Sequence, residues 1–166
     1  MIDDLYAPIG KFTVRFQSLE LMASALLIEL LRLDYDSGLC LTAEMSFTRI
    51  VAALVSISQG RISDETLVED IRALARRLSV CEEKRNSTLH SMFMEVGGEL
   101  KRAKITAKQS KGLQKIMHDT SVKEVEAHTE EVDVTIRSLL SIAQRLQALG
   151  LVSNQFFGMV SAKKKP

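Results

Sequence analysis

Four stretches of this chain repeat apolar residues at steps of three and four, the spacing that places side chains on one face of an α-helix. The clearest stripe consists of Leu67, Ile71, Leu74, Leu78 and Cys81. Comparable stripes start at Phe12, Phe47 and Val125. Each stripe must be buried against a neighbouring element, so the sequence predicts an all-α protein, most economically a four-helix bundle.

Helix-capping residues predict where the first three helices begin. Pro8 suits the first turn of a long first helix, because its missing N–H has no partner there in any case. Ser46 can cap the second helix, and Ser63 or Asp64 can cap the third. Residues 39–45, between the first two helices, show no stripe and predict a loop.

The chain between the third and the last helix departs from this regular pattern. The third helix is expected to end between residues 92 and 96, before two consecutive glycines. Residues 97–120 show no helical stripe and predict an irregular or short extended insertion. Residues 121–124 read Ser-Val-Lys-Glu, a capping box that opens the last long helix, and Gly150 is its natural stop.

Length and composition favour one intracellular domain. A chain of 166 residues with 46% hydrophobic content predicts a single helical domain over residues 1–150, followed by a partly flexible C-terminal tail over residues 151–166. Cys40 and Cys81 show no C-x-x-C spacing, which indicates a reducing compartment. The acidic start, Met-Ile-Asp-Asp, is unlike a signal peptide, so we expect a cytoplasmic protein.

A polar segment interrupts the third stripe, since the next step of four after Cys81 reaches Arg85. An arginine in a core row is costly unless it meets a carboxylate, a carbonyl or a ligand phosphate. Asn86 and His90 follow, one helical turn apart on a neighbouring face. One interpretation is structural, with Arg85 paired to Glu82 at the end of a helix. The other is chemical.

The hexapeptide Arg85-Asn86-Ser87-Thr88-Leu89-His90 resembles the R-x4–6-H motif of the HEPN superfamily, in which asparagine often follows the arginine. The layout of helices is similar over most of the chain. The resemblance implies a HEPN-like helical bundle that forms a homodimer and acts as a metal-independent, cofactor-free endoribonuclease of the toxin, phage-defence or stress-response kind. It assigns proton transfer to His90, phosphate stabilisation to Arg85, and orientation of the phosphate or the histidine to Asn86.

The same resemblance leaves a second function open. RNA cleavage by the 2′-hydroxyl needs a base and an acid, and one histidine per chain does not easily supply both, whereas a dimer supplies two. The family also contains members that bind without cleaving. The alternative is therefore a catalytically silent helical module that dimerises and binds a protein, nucleotide or RNA partner. For a toxin-like member, an inhibitor or antitoxin protein is a further expected partner.

A run of positive charge follows the motif, in a window that contains no acidic residue. Its members are Lys101, Arg102, Lys104, Lys108, Lys111 and Lys115. The run predicts contact with an RNA backbone, although a solvated loop is the plainer alternative. The other histidines, His118 and His128, have no zinc-ligand spacing and are interpreted as surface residues, and no metal site is expected.

Overall fold

The computed structural model describes residues 2–108 and 112–160, which are mostly helical. The helices of this part are a short 3-10 helix at Ile2–Leu5, then α1 (Tyr6–Leu31), α2 (Tyr35–Ala43), α3 (Phe47–Arg61), α4 (Glu65–Leu89), α5 (Val122–Ala148) and α6 (Asn154–Val160). Its strands are β1 (Met92–Val96), β2 (Glu99–Lys108) and β3 (Gly112–Asp119). The predicted predominance of helix is confirmed, and a small sheet is added to it.

Burial follows the predicted stripes closely. In α4, every residue of the stripe from Leu67 to Cys81 is at most 2% exposed. In α5, the predicted stripe is buried from Val125 to Leu146. Thr129, which interrupts that stripe in the sequence, is also buried, because its hydroxyl donates to the Val125 carbonyl at 3.2 Å. A threonine on a helix can therefore occupy a core position without an unsatisfied polar group.

The predicted helix caps are present. The Ser46 side chain accepts a hydrogen bond from a backbone N–H of α3, and Asp64 Oδ1 accepts one from the Leu67 N–H at 3.0 Å. At the start of α5, Ser121 Oγ accepts from the Glu124 N–H at 3.2 Å. Each bond satisfies one of the N–H groups that a first helical turn leaves without a partner.

The predicted loop at residues 39–45 is wrong, because most of it belongs to helix α2. Asp34 caps this helix, with Oδ1 accepting from the Ser37 N–H at 3.0 Å, and that bond lowers the pKa of the Asp34 carboxyl. Gly38 looks like a helix stop in the sequence, but it lies inside α2. A Cβ atom there would come within 2.6 Å of the Ile28 side chain, so the glycine serves close packing.

The segment after α4 is a three-stranded antiparallel sheet in the order β1-β2-β3. Helix α4 ends at Leu89, earlier than the predicted 92–96, because β1 starts at Met92. Gly97 and Gly98 both have positive φ, and they form the two-residue turn between β1 and β2. The extended alternative for the insertion is thus confirmed.

The chain divides into two compact units. One unit combines the residues up to Phe16 with residues 81–133, and it contains the sheet and the predicted motif. The other combines residues 17–80 with residues 134 onward. In this second unit the Glu29 carboxylate accepts hydrogen bonds from the N–H and the hydroxyl of Ser153, and Phe156 in α6 is fully buried. The chain just after Gly150 therefore packs within this unit.

None of the described helices combines the length and the apolarity needed to cross a membrane.

Candidate functional site

Arg85 and Asn86 interact directly in the last turns of α4. The Arg85 guanidinium lies over the Phe16 ring, 5.7 Å from its centroid, and its Nη1 donates to Asn86 Oδ1 at 2.9 Å. The arginine is half-buried, so its stem is covered while part of its head meets solvent. A planar guanidinium held by an aromatic face and an amide is a fixed cation, well suited to receive an anion.

The structural interpretation of Arg85 pairs its guanidinium with the Glu82 carboxylate. Within the described part of the chain, no carboxylate pairs with the Arg85 guanidinium, and Glu82 does not take that role. The core row of α4 continues from Cys81 to Thr88, which is almost fully buried, rather than to Arg85. Arg85 is thus displaced from the buried row, and its remaining N–H donors are open to a ligand.

His90 lies in the turn that follows α4, and it is exposed. Its backbone N–H donates to the Asn86 carbonyl at 3.2 Å, which continues the helical pattern by one residue. This bond places His90 one turn beyond Asn86, as the sequence predicts. Because Arg85 and His90 are five residues apart, they project about 140° from each other around the helix axis. One phosphate could contact both only by bridging this turn.

A second histidine, His128, is buried. The prediction that it is a surface residue is wrong, because it is only 9% exposed. Its Nδ1 lies 3.4 Å from Thr88 Oγ1, and its ring packs 5.7 Å from the Phe12 ring. The signal was available, since His128 lies three residues after Val125 and four before Val132, in register with the stripe. His118, by contrast, is exposed, as predicted.

Several charged groups surround His128. Burial lowers the pKa of His128, the positive charge of Lys84 lowers it further, and Arg102 adds a smaller effect of the same sign. Glu124 opposes them, with Oε1 at 3.9 Å from His128 Nε2. Glu124 also accepts a hydrogen bond from the Thr120 hydroxyl at 2.9 Å. The surroundings of His128 therefore disfavour the charged form of its imidazole.

Two of the predicted RNA contacts are occupied by ion pairs within the chain. Lys101 Nζ lies 2.9 Å from Asp119 Oδ1 and 3.2 Å from Glu99 Oε2. These carboxylates, Asp119 first, raise the pKa of Lys101. Arg102, which is largely buried, lies 3.5 Å from Glu124. Both cations have partners that an RNA phosphate would need to displace.

The other predicted contacts are divided between the two faces of the sheet. Successive residues of a strand point to opposite faces, so the six basic residues cannot all lie on one face of the sheet. Lys104 is half-buried on the face that carries Arg102, and Lys115 is exposed on the face that carries Lys101. Lys108 belongs to β2 in its backbone, and Lys111 lies outside the described residues. The basic residues are therefore close in the sequence, but the strand register places them on different faces of the sheet.

No metal site is recognisable in residues 2–108 and 112–160, where no three or more His, Cys, Asp and Glu side chains come close enough to hold an ion. Comparison with protein-family models, with curated proteins and with solved structures finds no match for this chain. Only the residues of the site therefore indicate what this chain does.

Proposed function

We propose that this chain is a HEPN-like, metal-independent endoribonuclease of the toxin, defence or stress-response kind, with the fold of a HEPN-like four-helix bundle. The observation that carries the proposal is the state of Arg85. Its guanidinium is fixed by Phe16 and Asn86, and it is not paired with a carboxylate of the described chain. Arg85 precedes the exposed His90 by five residues. The ion pair with Glu82 that the structural interpretation predicts is absent from the described residues.

The proposed reaction is attack of an RNA 2′-hydroxyl on the adjacent phosphorus. His90 of one protomer takes the 2′-hydroxyl proton while the O2′–P bond forms and the P–O5′ bond breaks. His90 of the second protomer donates a proton to the leaving 5′-oxygen. The products are a 2′,3′-cyclic phosphate and a 5′-hydroxyl, and no oxidant or reductant is consumed.

Arg85 and Asn86 have complementary tasks in this scheme. The free N–H groups of Arg85 donate to the phosphate oxygens, which gain negative charge in the transition state. The Asn86 oxygen accepts from Arg85, so its amide NH₂ remains to donate to the same phosphate. Asn86 thus positions Arg85 as well as the substrate. RNA is the proposed substrate, and a cytoplasmic protein inhibitor of antitoxin type would act by covering the exposed His90.

The test is incubation of the purified protein with a broad RNA set in excess EDTA. We expect cleavage that leaves cyclic-phosphate ends and survives the chelator. His90→Ala should slow the reaction by about 10²–10⁴-fold, the usual contribution of general acid–base catalysis. His118→Ala is the matched control, because His118 is also exposed but lies in β3. Equal loss in both variants, or none in His90→Ala, would refute the assignment.

One observation favours the alternative, a catalytically silent HEPN-like module. Lys101 and Arg102 are already paired within the chain, which reduces the positive surface available to RNA. This module would bind a protein, nucleotide or RNA partner without cleaving it. RNA affinity that falls with salt, without any cleavage by the wild type or its variants, would favour that function.

A further inference from the structure

One face of the sheet presents apolar side chains to solvent. Residues directly opposite each other in antiparallel strands share a face, and Met92, Ala103 and Met117 form one such row across the three strands. Met92 is 60% exposed and Met117 is 54% exposed. Ile105, the next residue of β2 on this face, is 57% exposed. Exposed large apolar residues that lie close together, here three around the half-buried Ala103, are typical of an interaction surface, and we call these four residues the methionine face.

The methionine face has opposite charges at its two ends. At one end, Lys101 is shared between Glu99 and Asp119, and two carboxylates with one lysine leave a net negative charge. At the other end lies the exposed Lys115, which is opposite Ile105 and makes no ion pair with the described residues. The apolar row separates the two ends, so this surface is complementary in charge to an inverted copy of itself.

We propose that the methionine face binds the same face of a second copy of this chain, with the twofold axis along the row from Met92 through Ala103 to Met117. Rotation about this axis reverses the strands, so Lys115 of each copy meets the acidic end of the other. An axis along the strands would instead place both lysines at the same end of the dimer and both acidic ends at the other. The contact is isologous, and it closes as a dimer.

Side-chain sizes along the row suit this packing. Each residue of the row faces its own copy, so the small Ala103 lies at the centre between the two methionine pairs. Packed sheets lie about 10 Å apart, and the flexible methionines adapt to the space on either side. Burial of these exposed side chains supplies the apolar gain, while the charged ends set the orientation.

The surface also deepens the proposed function, and this consequence rests on the nuclease assignment. Because the axis crosses the three strands, the rotation places each strand of one copy over the same strand of the other copy. Met92 belongs to β1, an edge strand of the sheet, so both copies of β1 lie at one edge of the dimer. His90 precedes Met92 by two residues, so both histidines belong to that same edge. An RNA strand bound along it would meet both.

The first test measures the molar mass in solution by light scattering and by sedimentation equilibrium. The wild type should be a dimer, and Met117→Asp should be a monomer at the same concentration with an unchanged circular dichroism spectrum. Ile116→Asp is the matched control, because Ile116 is the preceding residue of β3, is also exposed and points to the opposite face. A monomeric wild type, or a folded Met117→Asp dimer, would overturn the proposal.

A second test uses charge to determine how the two copies are oriented in the dimer. It remains informative even if the Met117→Asp variant does not fold. Lys115→Glu makes both ends negative, and Asp119→Lys makes both ends positive. Each single variant should dimerise about tenfold more weakly at low salt, since two attractive contacts become repulsive. Mixing the two variants should restore a heterodimer, in which both contacts are attractive again. No gain on mixing would exclude this axis.

These results separate the surface from the reaction. A wild-type dimer that depends on Met117 but cuts no RNA supports the surface and rejects the nuclease. RNA cleavage dependent on His90, in a protein whose dimer ignores Met117 and Lys115, supports the nuclease and rejects the surface.

Discussion

Acidification should destabilise the protein through His128. Burial, aided by Lys84 and more weakly by Arg102, lowers the pKa of this histidine in the folded state below the ordinary value of 6.5. Well above pH 6.5 the imidazole is neutral in both states, and His128 causes no pH dependence there. As the pH falls through 6.5, the unfolded chain binds the proton first, so the free energy of unfolding decreases. The loss is complete once the pH is below the folded pKa as well.

The size of this loss follows from proton linkage. Every unit by which the folded pKa lies below the unfolded one removes about 1.4 kcal/mol of unfolding free energy. For a chain of this length, that corresponds to a fall in melting temperature of about 3–6 °C per unit. Glu124 limits the effect, because its carboxylate, 3.9 Å away, favours the charged imidazole. Removing this attraction by Glu124→Gln should therefore increase the acid loss.

Urea unfolding at a series of pH values, from about 7.5 down to about 5, measures the effect against the ordinary histidine pKa. The wild type is compared with His128→Gln, which keeps a polar side chain but cannot take up a proton. The difference in unfolding free energy between the two proteins should change with pH, to the disadvantage of the wild type in acid. His118→Gln, a change at an exposed histidine, should follow the wild type. A difference between wild type and His128→Gln that stays constant across the series would refute the reasoning.

Two further predictions concern packing in the second unit. Gly38→Ala should lower the unfolding free energy by about 1–3 kcal/mol, because its Cβ would meet the Ile28 side chain at 2.6 Å. Gly60→Ala, whose Cβ would have no atom within 4 Å, should raise it by about 0.5–1 kcal/mol. Urea unfolding that gives both changes the same sign would contradict this. Phe156→Ala should lower the unfolding free energy by about 3–5 kcal/mol, because Phe156 is fully buried. Phe157→Ala, at a half-buried position beside it, should lower it clearly less. Thermal melting curves that rank the two variants in reverse would show that α6 does not pack as described.

The helical part of the fold could be predicted because burial imposes a period on the sequence. The stripes of α4 and α5 are buried throughout, and the capping serines are where the sequence places them. Helix α2 could not be predicted in the same way, because Gly38 is a local helix breaker whose presence is explained by a distant residue, Ile28. Long-range packing of this kind leaves no periodic trace.

The candidate site was predictable only in part. The motif residues were recognisable, but their partners were not. Phe16 contacts Arg85, and His128 contacts Thr88, and both pairs are far apart in the sequence. The division of the basic run between two faces could not be predicted from its charge alone. Counting charges ignores the alternation of a strand, which sends Lys101 and Arg102 to opposite faces and into separate ion pairs.

The buried histidine and the proposed catalytic turn are connected through one face of α1. Phe12 and Phe16 are a helical turn apart, and Phe12 packs on His128 while Phe16 lies under Arg85. Thr88, within the motif itself, joins the two contacts by facing His128 from the last turn of α4. A charge on His128 would therefore strain the same turn that holds Arg85 and presents His90. Under the proposed nuclease function, acid should reduce RNA cleavage in the wild type more than in His128→Gln. Equal acid losses would show that His128 matters for stability alone.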